Sequence, residues 1–284
     1  MLSKIKILLE DIKFSHTIFA LPFAFMSAFI ASEGLPSMNK IIWILLAMIG
    51  ARSAAMAYNR IVDAKYDALN SRTNNRALPS RKISRQSYQF FLLSSVILFV
   101  FSAYQLNRVA FLLSPVALVI IFFYSWTKRF TAYSHFFLGL ALSIAPIGAW
   151  IAVREEITII PLILGAAVIF WLAGLDIIYA CQDIEFDKQI GLFSIPEKFG
   201  IEKALKLSSS FHVIMVIFLM LLLPARQLGW VFFSGIIVIS TLLMYEHSIV
   251  MPGDLSKVNK AFFNINGQIS VLLMTLTIID CTLV

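Results

Sequence analysis

Residues 41–79 read IIWILLAMIGARSAAMAY, followed without a break by NRIVDAKYDALNSRTNNRALP. The first part is apolar apart from one arginine, Arg52. The second carries Asn59, Asp63, Asp67, Arg72 and Arg76 in quick succession. An apolar run of about 18 residues or more is long enough to cross a hydrocarbon core of roughly 30 Å as a helix. The rest of the chain has the same character: of 284 residues, 60% are hydrophobic and 14% charged. Ordinary soluble domains have about 45–50% apolar and about 25% charged residues. The composition therefore argues against a soluble core and predicts an all-α integral membrane protein, with residues 1–284 forming a single transmembrane domain.

Nine apolar spans are predicted, at about 14–32, 41–58, 88–106, 109–127, 135–153, 159–181, 208–224, 229–250 and 262–283, with the seventh the shortest. The N-terminal apolar stretch, Phe14 to about Ser32, exceeds a signal-peptide core and no tidy small-residue cleavage site follows it. It predicts a short amphipathic segment and then a retained first helix. Lysines and arginines divide unevenly between the two sides of such a bundle. The N-terminal segment and the connections after helices 2, 4, 6 and 8 hold 18, whereas the opposite connections hold only Lys40, Arg108, Arg154 and Arg226. By the positive-inside rule, the N-terminus and the long connections 60–87 and 182–207 are cytoplasmic, in a bacterial-type cytoplasmic (inner) membrane. The same loops account for the net charge of +7, so no nucleic-acid partner is expected. Two distant cysteines, Cys181 and Cys281, and four scattered histidines suggest neither a disulfide framework nor a zinc site.

The two long connections carry the chemistry. Asn59, Asp63 and Asp67 recur at i, i+4 and i+8, on one helix stripe about 80° wide that includes Arg52. A second segment, GLDIIYACQDIEFDKQIGLFSIP, places Asp176, Asp183 and Asp187 on one stripe at i, i+7 and i+11, with Glu185 off it. Charged residues at helix ends are commonly just solvated. Four aspartates, Asp63, Asp67, Asp183 and Asp187, converging at one membrane face instead require a cation, because intramembrane charge costs about 2.5–3.5 kcal/mol per residue even on lenient scales. Hard carboxylate oxygens suit Mg²⁺, which shares itself between one or two carboxylates, waters and substrate phosphates. The nearby bases Arg72, Arg76, Lys128 and Lys188 are expected to exceed what those aspartates can pair, leaving them for a polyanion such as diphosphate.

These motifs resemble the UbiA family of membrane prenyltransferases. The first is similar to that family's N-x-x-x-D-x-x-x-D signature with its trailing R-T-x-N-R-x-L-P. DIIYACQDIEFDKQIGLFSIPEKFG is similar to its second motif, and YSWTK (Tyr124 to Lys128) to its Y-x-x-x-K element. Arg60 departs from the many relatives that have an acid directly after the asparagine. The resemblance implies a nine-helix bundle around a central cavity opening near the cytoplasmic side. It also implies Mg²⁺-dependent transfer of a polyprenyl group from polyprenyl diphosphate to an aromatic acceptor. Asp63, Asp67, Asp183 and Asp187, with Asn59, would then hold the metal, while Arg72, Arg76, Lys128, Lys188 and Tyr124 would hold the diphosphate. Asp176 and Tyr179 would orient the acceptor's phenol or take its proton.

Arg52, about two turns deeper than Asn59, has two readings: a structural ion pair with Asp176, or a clamp for the acceptor's carboxylate. The second fits the branch of the family that acts on 4-hydroxybenzoate in ubiquinone-type quinone synthesis. The wording YACQDIEFD equally resembles relatives that prenylate a dihydroxynaphthoate on the futalosine route to menaquinone. A transporter would place its charges nearer the bilayer midplane, between broken helices. A CDP-alcohol phosphotransferase would gather its aspartates in one motif. Both are disfavoured by acids divided between two distant motifs at one face.

Overall fold

The computed structural model describes residues 7–8, 10–12, 19–226 and 228–283. The described residues are overwhelmingly helical: α1 (Leu21–Ser32), α2 (Met38–Leu69), α3 (Arg85–Leu106), α4 (Arg108–Thr127), α5 (Ser134–Arg154) and α6 (Ile159–Ala180) come first. A 3₁₀ turn (Cys181–Asp183) follows, then α7 (Ile184–Ile190), α8 (Ile195–Phe199), α9 (Ile201–Arg226) and α10 (Trp230–Ile249). A π-helical turn (Lys260–Ile265) leads into α11 (Asn266–Leu283).

Among the described residues, eight helical stretches are long and apolar enough to cross a membrane, counting 159–190 and 260–283 as one each; α1 is a shorter apolar helix. The expected span 14–32 is seen from Phe19 onward, and residues 13–18 lie outside the described residues. The remaining boundaries fall close to expectation, with two departures. The seventh expected span, read as the shortest, is the 26-residue α9. Its first two turns, IEKALKL, are too polar for a hydropathy window, yet they extend the helix with Ala204 and Leu205 buried. Similarly, α2 continues well beyond its apolar run and carries the first acidic motif as helix to Leu69.

Close backbone approach holds the bundle together. A Cβ at Gly50 of α2 would sit 2.7 Å from the Phe99 nitrogen of α3, and one at Gly139 of α5 would sit 2.6 Å from the Ile169 oxygen of α6. Only glycine permits these contacts, which suit helix packing in a membrane, where lipid supplies no hydrophobic drive between helices. The largest core cluster joins α1, α6, α9, α10 and α11 around Phe23, Trp171 and Phe232. Within it, Trp171 Nε1 donates to Asn266 Oδ1 at 2.7 Å, and Asn266 Nδ2 donates to Glu246 Oε1 at 2.9 Å and to the Ala261 carbonyl at 3.0 Å. Those bonds fix the π-helical turn, which brings Phe262 and Phe263 to the cavity beside Tyr179, at ring separations of 4.4 and 6.1 Å.

Candidate active site

The site forms where three chain segments meet beyond the apolar part of the bundle. Helix α2 ends at Asn70, whose side-chain carbonyl accepts from the Arg72 amide at 2.9 Å. Thr73 Oγ1 donates back to the Asp67 carbonyl at 3.1 Å. The chain thus folds over the helix end, returning Arg72 and Arg76 towards the acids that precede them. Arg76 Nη1 meets Asp67 Oδ1 at 2.6 Å. Arg72 crosses to the second motif, donating from Nε and Nη2 to the two Asp183 oxygens at 3.0 and 2.7 Å and from Nη1 to Tyr179 Oη at 3.0 Å. Such fork-to-carboxylate pairs add geometric specificity to charge. Burial alone would lower the Arg72 pKa, but its bonds to Asp183 and that carboxylate's charge hold it above the ordinary value.

The second motif does not run as one α-helix. A 3₁₀ turn at Cys181–Asp183 separates α6 from α7, yet Asp176, Asp183 and Asp187 still line one pocket, as their common stripe predicts. Gly191, at φ 74°, then closes α7 in a left-handed conformation that suits glycine. The following strap is tied down by Phe193 N donating to the Lys128 carbonyl at 2.8 Å. Ser194 caps α8 by accepting from Glu197 N at 3.3 Å, with proline in the first turn. The third segment, at the end of α4, supplies Lys128, 3.7 Å from Asp187, and Arg129, 3.1 Å from Asp63. Arg129 also lies over the Trp126 and Tyr66 rings, at 4.3 and 5.1 Å.

The four aspartates are therefore paired one to one with Arg129, Arg76, Arg72 and Lys128. Of the four bases expected to exceed what the acids can pair, Arg72, Arg76 and Lys128 are thus engaged and Lys188 is not among the partners, its place being taken by Arg129. With four negative charges at one interface, the neighbouring cations are drawn in as their counter-ions. Two carboxylate oxygens nonetheless remain buried without a hydrogen-bond partner, Asp67 Oδ2 and Asp187 Oδ2, one from each motif. Among the described residues, no three His, Cys, Asp or Glu are grouped to hold a metal by themselves. A divalent ion that takes one or two carboxylates and draws its other oxygens from phosphate and water fits this donor set. Both aspartates line a polar pocket of about 180 Å³ with Asn59, Asp63, Lys128 and Asp183.

That pocket shares Asn59, Arg72, Arg76, Tyr124, Asp176 and Tyr179 with a cavity of about 1180 Å³ that extends into the bundle. Beyond those residues its wall is mainly apolar and includes Ile44, Met48, Phe99, Leu113, Ile121 and Leu142. Arg52 lies in this wall, about 10 Å along α2 from Asn59 at 1.5 Å per residue. Its Nε is buried without a hydrogen-bond partner. The ion pair with Asp176 does not form: Asp176 Oδ2 instead takes His135 Nδ1 at 2.7 Å.

Of the residues expected at the site, all but Lys188 line one cavity or the other. Lys188 is exposed, because one residue on from the inward-facing Asp187 a helix has turned about 100°. Sequence reasoning had passed over Arg129, Asn70 and His135. Arg129 was detectable as the second base after the tyrosine motif. His135 was not, because its partner lies 41 positions away. Arg60, the departure from the first signature, is buried at 4% exposure, forms an ion pair with the Asp11 carboxylate at 3.3 Å and donates from Nη2 to the Asp11 main-chain carbonyl at 3.0 Å. The same carboxylate accepts from Tyr88 Oη, so Arg60 ties the N-terminal segment to α2 and α3.

Known proteins resemble this chain over most of its length. The profile of the UbiA prenyltransferase family matches residues 20–267. The chain is 30% identical over 238 residues to a 4-hydroxybenzoate octaprenyltransferase of Vibrio campbellii, covering 84% of this chain and 83% of that one. It is 27% identical over 251 residues to a protein of the same name from Francisella tularensis subsp. novicida, covering 88% of each. Among solved structures, a UbiA homolog from Aeropyrum pernix superposes with a TM-score of 0.86 at 31% identity, over 94% of this chain and 98% of that one. One from Archaeoglobus fulgidus, bound to GPP and Mg²⁺, gives 0.73 at 22% identity over 95% and 98%.

Proposed function

The chain belongs to the UbiA prenyltransferase family, and on that footing we propose that it transfers a polyprenyl group from polyprenyl diphosphate to the ring carbon ortho to the phenol of 4-hydroxybenzoate, in ubiquinone-type quinone synthesis. The observation that carries the choice of acceptor is Arg52, a guanidinium in an apolar wall whose buried Nε lacks a partner. An acceptor carboxylate would complete it, and relatives named 4-hydroxybenzoate octaprenyltransferase point the same way. The division of the site supports two substrates. The acidic and basic pocket suits a diphosphate head, and the long apolar cavity suits an isoprenoid tail and an aromatic ring.

Mg²⁺ is the ion this reading requires. Asp67 and Asp187 would hold it, with Asn59, Asp63 and Asp183 around it, and it would supply positive charge to the diphosphate oxygens. Arg72, Arg76 and Lys128 would transfer part of their hydrogen bonding from carboxylate to phosphate, stabilising charge as the allylic C–O bond breaks. The apolar walls keep water from the allylic cation, which the ring carbon attacks to form the new C–C bond. Arg52 fixes the ring by its carboxylate, two helical turns below the diphosphate pocket. The bundle would sit in a bacterial-type inner membrane with the motif loops on the cytoplasmic side, as the loop charges indicate.

The test is the product mass from purified protein given Mg²⁺, geranyl diphosphate and an equal mixture of 4-hydroxybenzoate and 1,4-dihydroxy-6-naphthoate. Prenylated hydroxybenzoate as the main product is expected. A predominant naphthoate product would retain the chemistry and move the enzyme to menaquinone synthesis. Neither product from folded protein would overturn the reading.

A further inference from the structure

His135 is the second residue of α5, and no part of its side chain reaches solvent or the cavity: its exposure is 0%. Nδ1 lies 2.7 Å from Asp176 Oδ2, in the last turn of α6. On the other side of the ring, the main-chain N–H of Ile195 points at Nε2 at 3.3 Å. A main-chain amide can only donate, so Nε2 is the accepting nitrogen and Nδ1 bears the proton it gives to Asp176. The imidazole is thereby set in one neutral tautomer, with both nitrogens engaged. Asp176 is the partner that faces the substrates: it retains 18% side-chain exposure and lines both cavities. One carboxylate oxygen is held from behind, and the acid fronts the space where the ring must lie.

Ile195 is not an arbitrary donor. It follows Ser194, the cap of α8, at the end of the strap that begins at Asp187 and is tied to Lys128 through Phe193 N. The same strap that sets Asp187 in the diphosphate pocket thus sets the tautomer of the residue behind Asp176. Tyr124 and Lys128 from the end of α4 and Tyr179 from α6 line the pocket with Asp176, as do Tyr66, Arg129 and the acids and arginines of the two motifs.

We propose that Asp176 takes the ring proton after prenyl transfer and that His135 is the positioning residue that holds its carboxylate for that step. This rests on the prenyl-transfer reading above and assigns its last chemical step. Once the new C–C bond has formed, the attacked ring carbon still carries its hydrogen. Asp176 accepts that proton, the C–H electron pair returns to the ring and restores aromaticity, and the carboxyl group later releases the proton to water at the polar mouth. His135 keeps its own proton throughout. A positioned general base contributes roughly 10²–10⁴-fold, and an aspartate free to rotate would forfeit part of that.

The experiment compares wild type, His135→Gln and His135→Leu with Mg²⁺, geranyl diphosphate and either ordinary or ring-deuterated 4-hydroxybenzoate. Leucine lacks both hydrogen bonds, while glutamine offers an amide N–H for Asp176 and a carbonyl for Ile195. The expected result for His135→Leu is a kcat at least about tenfold lower, with KM for both substrates little changed. It should also show a deuterium isotope effect clearly larger than the wild type's, because proton removal has become slow. His135→Gln should recover most of kcat and return the isotope effect towards the wild-type value. A structural role alone would lower both variants' melting temperature and leave the isotope effect where it was. The proposal is overturned if His135→Leu turns over normally, or if its loss comes with an unchanged isotope effect. Failure of the wild type to prenylate the acceptor would instead strike the functional reading on which it rests.

Discussion

Replacing Arg52 with methionine should have opposite effects on stability and on acceptor use. The methionine fills much of the same volume without the charge. A buried polar group without a partner costs about 1–3 kcal/mol in the folded protein, and Arg52 Nε is such a group. The ligand-free variant should therefore melt at a higher temperature than wild type. With acceptor bound, the same arginine faces a carboxylate, and breaking a buried ion pair by removing one partner costs about 3–5 kcal/mol. The lower end of that range, at about 1.4 kcal/mol per decade, is roughly a 100-fold rise in KM for 4-hydroxybenzoate. The assay is initial-rate prenylation at saturating prenyl diphosphate and Mg²⁺, alongside thermal melting in detergent. The methyl ester of 4-hydroxybenzoate, which has no anionic carboxylate, should be nearly indifferent to the change. A variant that melts lower than wild type, or one that loses acid and ester activity equally, would refute the clamp.

Arg72→Lys keeps the charge but loses the fork to Asp183. It should reduce kcat/KM for prenyl diphosphate by roughly 10–100-fold, the value of about 1.5–3 kcal/mol for a charged hydrogen bond, as read from initial rates. Lys188→Ala should leave kcat/KM unchanged in the same assay, since the side chain is exposed and lines neither cavity. Gly139→Ala should destabilise the fold by about 1–3 kcal/mol, because its new methyl meets the Ile169 backbone at 2.6 Å. Gly148→Ala, where a Cβ meets nothing within 4 Å, should be neutral or stabilising by up to about 1 kcal/mol through helix propensity. Thermal melting of the two variants side by side separates packing from propensity.

The parts of this protein written at short range were legible in its sequence. A lipid environment requires each spanning segment to satisfy its own backbone, so apolar runs map directly onto helices, and the 59–63–67 period marks one face of α2. What escaped was set at long range or by local winding. Nothing in CQDIEFD signals a 3₁₀ turn, because no proline or glycine breaks the helix there. Neither does any local pattern join Arg72 to Asp183, 111 positions apart, or His135 to Asp176. The acids were readable as a cluster, whereas the bases that neutralise them were not, because a flexible Arg or Lys declares its partner only once the loops are folded.

Those four acid–base pairs lead to a prediction about order of binding. Without metal, a diphosphate must compete with Asp183, Asp67 and Asp187 for Arg72, Arg76 and Lys128. The released carboxylates would then face each other and the phosphate charge unneutralised. Adding a divalent cation reverses both penalties, since the carboxylates gain a partner as the bases turn to phosphate. The two ligands should therefore bind with positive coupling of about 1–3 kcal/mol, roughly 5–150-fold in affinity, and reciprocally. Titration of a non-reactive prenyl thiodiphosphate by calorimetry, with chelator or with saturating Mg²⁺, measures this directly. An equal Kd under both conditions would mean that the bases are already free to meet phosphate, and that the pairing of each acid with a neighbouring base does not govern substrate entry.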